Sequence, residues 1–294
     1  MTLLLAHGLT PHLTAELWRR WTWEPVTIVL LLVSGALYTV GVGTLWRRAG
    51  RDRGIRSWQA AAFYAGLVSL AAALLSPVAW LSELLFSVHM TQHEILMLIS
   101  APLLVFGRPL QALTWALPTQ SRASLIHKFT RPRITAAWHK LTGPTAAFIL
   151  HGTAIWVWHA PQLYESALRS NGIHALQHLS FVITASLFWW GMVQGRYGRA
   201  GYGVGVLYVF LTAVHTSVLG ALLTIAPWLW YPSYATIAAR WHVDAMADQQ
   251  LAGLLMWIPS GVAFIVFGLG LMAAWLGESE RRAELGCVSR GTLR

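Results

Sequence analysis

The stretch HMTQHEILMLISAPLLVFG, residues 89–107, decides the fold because it joins two histidines to a long apolar run. The run approaches the ~20 residues that a helix needs to cross ~30 Å of hydrocarbon. A second stretch, HALQH at residues 174–178, opens another apolar run in the same way. Each stretch therefore predicts a membrane-spanning helix that carries a pair of imidazoles close to one end.

The composition of the chain extends this prediction to the whole sequence. Of the 294 residues, 56% are hydrophobic and only 11% are charged, whereas roughly a quarter are charged in a soluble domain. Backbone groups in lipid must be hydrogen-bonded within their own segment, so the spans should be helices. We predict an all-α, polytopic membrane helix bundle with seven transmembrane helices, forming a single domain over residues 1–294. The predicted spans are residues 26–46, 58–76, 88–107, 144–160, 174–194, 203–226 and 250–276.

The basic residues predict the orientation of the bundle. Seventeen of the 21 Lys and Arg residues fall in segments 47–56, 107–143, 195–202 and 277–294. Basic loops stay in the cytoplasm, which places the N-terminus outside and the C-terminus in the cytoplasm. The net charge of +10 then indicates contact with anionic lipids at the cytoplasmic face rather than nucleic acid. Within the longest basic segment, residues 121–141 predict either an amphipathic interfacial helix or a solvated loop.

The paired histidines are the main candidates for metal ligands. His89 and His93 are four residues apart, as are His174 and His178. Residues at this spacing share one face of a helix, so each pair can present two imidazoles to one ion. His159 ends the span at 144–160 on the same predicted outer side. We predict that these five histidines bind metal, with helix capping and packing as the alternative for both pairs.

A second rank of candidates lies at the same outer side or within the spans. Glu94 would orient an imidazole as a hydrogen-bond acceptor rather than bind metal itself. Mid-span histidines such as His151 and His215 are more often interhelical hydrogen-bond partners than ligands. Asp244 and Asp248 are also four apart, but they fit equally well the first turn of a helix, where carboxylates are favoured.

A proline precedes each of these three outer pairs by a similar interval. The intervals run from Pro77 to His89, from Pro161 to His174 and from Pro232 to Asp244, and they are twelve, thirteen and twelve residues. We therefore predict a degenerate threefold repeat of helix pairs, each delivering two potential ligands to the outer surface.

Several functions are excluded or made less plausible by specific residues. The only lysines are Lys128 and Lys140, both in an inner loop, so a retinal Schiff base in the last helix is impossible. The stretch HEILM does not match the zinc-protease pattern, because Met97 stands where the second histidine is required. The sequence shows no nucleophile and base in a catalytic arrangement. We predict no catalytic residues and do not expect an enzyme.

Five stretches, two of which contain the histidine pairs, carry a resemblance to a known family. They are SVHMTQHEILMLISAPLLVFGRP (87–109), WVWHAPQLYESAL (156–168) followed by IHALQH (173–178), HTSVLGALLTIAPWLWYP (215–232) and DQQLAGLLMWIPSG (248–261). In this order they resemble the motifs of the CtaG family of cytochrome c oxidase assembly factors, associated with caa-type oxidases. The resemblance implies a multi-pass bacterial inner-membrane protein that is needed to make an active haem–copper oxidase, with cytochrome c oxidase subunits as partners. The family motif residues map onto His89, His93, His159, His174, His178, His215 and Asp248.

The residues themselves suggest copper as the metal. Imidazole with optional thioether suits copper, and ligands on separate helices would allow release to a folding oxidase subunit. The alternative is a membrane haem protein or oxidoreductase with two axial histidines on facing helices. A third possibility is a scaffold whose histidines only form hydrogen bonds between helices.

Overall fold

The computed structural model describes residues 19–193, 201–240 and 243–291, which form helices joined by short connections and contain no strand. We number the helices in chain order. They are α1 (Pro25–Ala49), α2 (Ser57–Leu75), α3 (Pro77–Ser82), α4 (Phe86–Phe106), α5 (Pro109–Ala116), α6 (Thr119–Phe129), α7 (Pro132–Leu141), α8 (Pro144–Trp158), α9 (Pro161–Arg169), α10 (Asn171–Val193), α11 (Gly201–Ile225), α12 (Ser233–Arg240) and α13 (Ala245–Gly291).

Proline defines many of the helix starts. It occupies the first turn of α1, α3, α5, α7, α8 and α9. The first N–H groups of a helix have no intrahelical acceptor, so proline loses nothing there and its fixed φ favours the helix. The same residue ends the preceding segment, because the residue before proline avoids helical geometry.

Six helices are long and apolar enough to cross a membrane: α1, α2, α4, α10, α11 and α13. These six confirm the predicted spans by length and composition. The predicted span at residues 144–160 is different, because α8 has only 15 residues and is therefore about 22 Å long. It packs against α10 and α11 and leaves apolar side chains such as Ile149 and Val157 exposed. Its role as a seventh span stays a prediction.

The main core is formed by α4, α8, α10, α11 and α13. Small residues bring α11 and α13 together: a Cβ atom added to Gly253 would lie 2.5 Å from the carbonyl oxygen of Gly220. Such close backbone approach is typical of helix pairs in membranes. By contrast, α1 lies at the periphery, where it packs against α2 and α5 and leaves most of its apolar side chains exposed.

A π-helical segment, Ile95–Ser100, interrupts α4 directly after the second histidine of its pair. Pro102 follows this segment and has no N–H, so it cannot donate to the carbonyl five residues earlier. That carbonyl belongs to Met97, and the indole of Trp189 on α10 donates to it at 2.9 Å. The bond fixes α4 against α10 about one turn after His93 along α4.

The connections predicted to lie outside meet at one end of the bundle. Tyr234 on α12 reaches the backbone of Ser82 on α3, and Glu165 on α9 accepts hydrogen bonds from Ser233 at the start of α12. At the opposite end, the Arg108 side chain donates to the carbonyl of Gly54. The first two basic connections, at residues 47–56 and 107–143, thus contact each other, and the assignment of this end to the cytoplasm stays a prediction.

The basic segment between α4 and α8 forms three helices, α5 to α7. Neither α6 nor α7 contains a buried residue, although Trp138 of α7 packs edge-on against Trp190 of α10. Of the two alternatives for residues 121–141, the structure has the helical one, as two helices rather than one. Contact of these helices with the inner leaflet stays a prediction.

The predicted threefold repeat is visible in the helix order. The short helices α3, α9 and α12 precede the long helices α4, α10 and α13. His89, His174 and Asp248 each stand fourth in their long helix. The intervals counted from proline in the sequence had instead made Asp244 the equivalent of His89 and His174, the first histidine of each pair. Asp244 lies just before α13, so the equivalence by helix position belongs to Asp248.

Candidate metal centre

The two histidine pairs meet where the first turns of α4 and α10 face each other. We call His89, His93, His174 and His178 the histidine cluster. The Nε2 atoms of His89 and His93 are 3.0 Å apart. Ring centroids are 5.1 Å apart between His89 and His174, 5.3 Å between His93 and His178, and 4.2 Å between His174 and His178. His89, His93 and His178 are buried, while His174 is partly exposed.

The spacing of the ring nitrogens fits a small ion. Two nitrogen ligands at ~2.0–2.1 Å from one ion lie roughly 3.0–3.4 Å apart, which matches the separation of 3.0 Å between His89 and His93. One ring nitrogen each from His89, His174 and His178 also lies within 4.8 Å of the others. The cluster can therefore offer three imidazole nitrogens to one ion, with a fourth imidazole, that of His93, next to His89.

Several of these nitrogens have no hydrogen-bond partner among the described residues: Nδ1 of His93, Nε2 of His174 and Nε2 of His178. Buried polar atoms are nearly always paired, so unpaired ones call for an explanation. A bound ion would use their lone pairs, whereas a purely structural cluster would leave them unsatisfied.

His159 adds a fifth imidazole at the edge of the cluster. It directly follows Trp158, the last residue of α8. Its ring centroid is 6.2 Å from that of His93. Its Nδ1 atom lies 2.6 Å from the carbonyl oxygen of Ile155, and Nε2 lies 3.4 Å from the sulfur of Met90. The sequence placed His159 at this same end of the bundle.

Buried tyrosines hold the cluster from the side of α9 and α12. The hydroxyl of Tyr234 lies 3.1 Å from Nδ1 of His89 and 3.3 Å from the carbonyl oxygen of Ser82. The hydroxyl of Tyr231 donates to the carbonyl of His159 at 2.8 Å, and the rings of Tyr164 and Tyr231 are stacked. No periodic pattern in the sequence indicated these tyrosines.

The tyrosine hydroxyls are neutral at physiological pH. Burial raises the pKa of Tyr234, and the nearby Asp248 carboxylate raises it further. Burial likewise raises the pKa of Tyr164 and of Tyr231. If Tyr234 donates to the Ser82 carbonyl, its oxygen accepts a hydrogen bond from Nδ1 of His89. This arrangement leaves the lone pair of His89 on Nε2, the atom that lies 3.0 Å from Nε2 of His93.

The acidic pair has a different role from the histidine pairs. Asp248 accepts hydrogen bonds from the backbone N–H groups of Phe86, at 2.6 Å, and Ser87, at 3.3 Å, and from the Ser87 hydroxyl. Asp248 on α13 therefore caps the N-terminus of α4. The residue before α4 is Leu85, whose side chain offers no cap. Asp244 accepts from the N–H groups of Met246 and Ala247 and caps α13. Both acidic residues therefore bond to helix N-termini, and a role for either of them as a metal ligand stays a prediction.

The other second-rank residues lie apart from the cluster. His151 contacts the Thr184 hydroxyl on α10 at 3.3 Å, which is the interhelical role. The ring of His215 on α11 lies against Phe148. Among the described residues, the buried Oε2 atom of Glu94 has no hydrogen-bond partner, and its role of orienting an imidazole stays a prediction.

Fold and site together define a multi-pass helical membrane protein with a buried cluster of imidazoles at one end of its bundle. A model of the cytochrome c oxidase caa3 assembly factor family, Caa3_CtaG, matches residues 36–278. The chain therefore belongs to this family, as the sequence motifs predicted.

Curated relatives extend this result without adding a function. The chain is 25% identical to an uncharacterized protein of Mycobacterium leprae over 90% of its own length and 40% of the relative's. It is 24% identical to uncharacterized proteins of Mycobacterium bovis and Mycobacterium tuberculosis, over 93% of the chain and 42% of each relative. The chain thus spans about two fifths of the length of these relatives. No solved structure matches.

Proposed function

We propose that this protein is a non-catalytic assembly factor of the bacterial inner membrane that holds copper for insertion into a cytochrome c oxidase subunit. Membership of the caa3 assembly factor family supports the oxidase as the destination. The observation that carries the proposal is the meeting of four imidazoles from α4 and α10, with ring nitrogens free of other partners.

Copper fits this ligand set by its chemistry. Imidazole ligands suit copper, which binds more tightly than the other divalent first-row metals at a given nitrogen site. Because the ligands sit on two separate helices, a small shift of α4 against α10 would weaken the site and release its cargo. Such a site binds without the rigidity of a permanent metal centre.

The competing cofactor is haem. Two axial histidines must lie on opposite faces of a macrocycle. The ring centroids within the histidine cluster are 4.2–6.0 Å apart, and this packing favours a small ion. A Soret band in the purified protein would reverse the choice.

The direct test is the copper content of the purified full chain after copper loading and removal of excess metal. We expect about one copper per chain in the wild type. The paired variants H89A/H93A and H174A/H178A should lose it. The matched control is H127A/H139A, which removes two histidines of the exposed helices α6 and α7 and should retain full copper. A wild-type protein without copper, or equal binding by all variants, would contradict the proposal.

A second arm tests the destination. Cells that carry either paired variant should assemble the oxidase without its full copper content, whereas the H127A/H139A control should support normal assembly. The anionic lipids expected at the basic end would remain bound in every variant.

A further inference from the structure

Met90 is placed where a thioether can act as a ligand. It lies on α4 between the two histidines of the pair, and its side chain is 1% exposed. Its sulfur is 3.4 Å from Nε2 of His159 at the end of α8. No described contact other than packing explains why the sulfur faces this nitrogen.

The hydrogen bonding of His159 makes this contact unusual. A carbonyl oxygen only accepts, so the 2.6 Å contact with Ile155 requires a proton on Nδ1 of His159. A second proton on Nε2 would make a fully buried cation, which is costly without a paired anion. The neutral ring therefore presents a bare lone pair at Nε2, and the thioether facing it also has only lone pairs.

Two lone-pair donors that face each other with no proton between them are the arrangement that a soft cation stabilises. Nitrogen and sulfur ligands at roughly 2.0 and 2.3 Å from one ion, with a near-tetrahedral angle, are about 3.5 Å apart. The separation of 3.4 Å between His159 Nε2 and Met90 Sδ fits this value. Thioether sulfur selects Cu(I) over harder ions.

A third ligand is available beside this pair. The ring of His93 lies 6.2 Å from that of His159, and its Nδ1 atom has no partner in the described part of the chain. Since Met90 and His93 are three residues apart on one helix face, movement of the His93 ring would join the pair to the histidine cluster.

We propose that Met90 and His159 form a soft subsite at the edge of the histidine cluster that makes the protein selective for Cu(I). This inference rests on the proposed function, because it assigns the oxidation state of the copper that the cluster holds. It adds a sulfur ligand to a site that the histidine pairs alone would make nitrogen-only. Ag(I), which shares the softness of Cu(I) and is redox-inert, should bind at the same place.

The test compares Met90→Leu with Met97→Leu in the purified full chain. Leucine matches methionine in volume, so both variants should fold. Met97 is on the same helix, is 4% exposed and provides the matched control. The chain would be loaded anaerobically with Cu(I), and in parallel with Ag(I) and with Cu(II). X-ray absorption would report the ligands, and competition with a Cu(I) chelator would report the affinity.

We expect a sulfur ligand on Cu(I) in the wild type and in Met97→Leu, and none in Met90→Leu. Cu(I) and Ag(I) affinity should fall by about tenfold to a hundredfold in Met90→Leu, with Cu(II) content unchanged. Copper bound by nitrogen alone in the wild type, or equal Cu(I) affinity in both variants, would overturn the soft subsite and leave the proposed function standing. A wild type that binds neither copper nor silver would overturn both.

Discussion

The histidine pair of α4 and the acidic pair at the start of α13 share a four-residue spacing, yet the structure uses them in opposite ways. His89 and His93 turn their rings toward α10, where their nitrogens meet those of a second pair. The carboxylates of Asp244 and Asp248 accept hydrogen bonds from backbone N–H groups at helix starts. Spacing places side chains on one face of a helix, but the groups that face them decide between a ligand and a cap.

The largest effect should come from Asp248→Ala, because it removes the cap of α4 and leaves two buried N–H groups and a hydroxyl unpaired. Charge-assisted bonds of this kind contribute about 2–4 kcal/mol together. We expect a clearly lower thermal unfolding midpoint in detergent, and weaker copper binding because the start of α4 loosens. Asp248→Asn keeps an acceptor oxygen, so its unfolding midpoint should lie between those of the wild type and Asp248→Ala. Loss of copper at unchanged stability would instead make Asp248 a ligand.

The next effect should come from Tyr234→Phe, which removes the hydroxyl that contacts Nδ1 of His89 at 3.1 Å. Residues that orient a metal-bound histidine typically change affinity by about 10–100-fold. Copper affinity should fall by this factor, measured by chelator competition, while the protein still folds. Tyr231→Phe is the control, because that hydroxyl contacts a carbonyl and no ring nitrogen. Equal affinities for the two variants would refute the orienting role.

A smaller effect is expected for Asp244→Ala, since this cap is exposed and its side-chain bonds to described residues are all to the start of its own helix. Loss of an N-cap costs about 1 kcal/mol. The unfolding midpoint should fall slightly, and copper content should not change. A copper loss equal to that of the paired histidine variants would show that the acidic pair joins the site after all.

The smallest effects should separate the two HxxQH motifs. Gln92 donates to the carbonyl of Ala73 on α2 at 2.8 Å, whereas the side-chain amide of Gln177, also buried, has no partner among the described residues. Gln92→Leu should therefore cost about 1 kcal/mol, and Gln177→Leu should be neutral or slightly stabilising. The comparison is made by unfolding in detergent. A marked loss in Gln177→Leu would reveal a contact that forms only when the site is filled.

Much of the fold was predictable because the bilayer fixes the length and composition of each span. The apolar runs located α1, α2, α4, α10, α11 and α13, and all six have the required length. The same reasoning predicted a seventh span at residues 144–160, where α8 ends at Trp158 after 15 residues, and that span stays a prediction. An apolar run shows that side chains avoid water, and contact with neighbouring helices leaves the same sequence signal as contact with lipid.

The candidate site was only half predictable, for a different physical reason. Histidines four apart are recognisable within one helix, so both pairs and their common end followed from the sequence. Tyr234 is separated from its partner His89 by 145 positions in the chain, and Asp248 is separated from its partner Phe86 by 162 positions. Contacts of this kind depend on how α12 and α13 pack, and neither residue lies in a pattern that reveals its partner. Met90 had the right chemistry, but only the position of α8 shows what its sulfur faces.

The central claim is that imidazoles of α4 and α10 hold one copper between them. Anomalous scattering at the copper edge, from crystals of the copper-loaded full chain, tests it most directly. The account predicts one peak within bonding distance of ring nitrogens from both helices, including His89 and His178. A peak elsewhere, such as beside His127 or His139, or density bonded to a single helix, would contradict it.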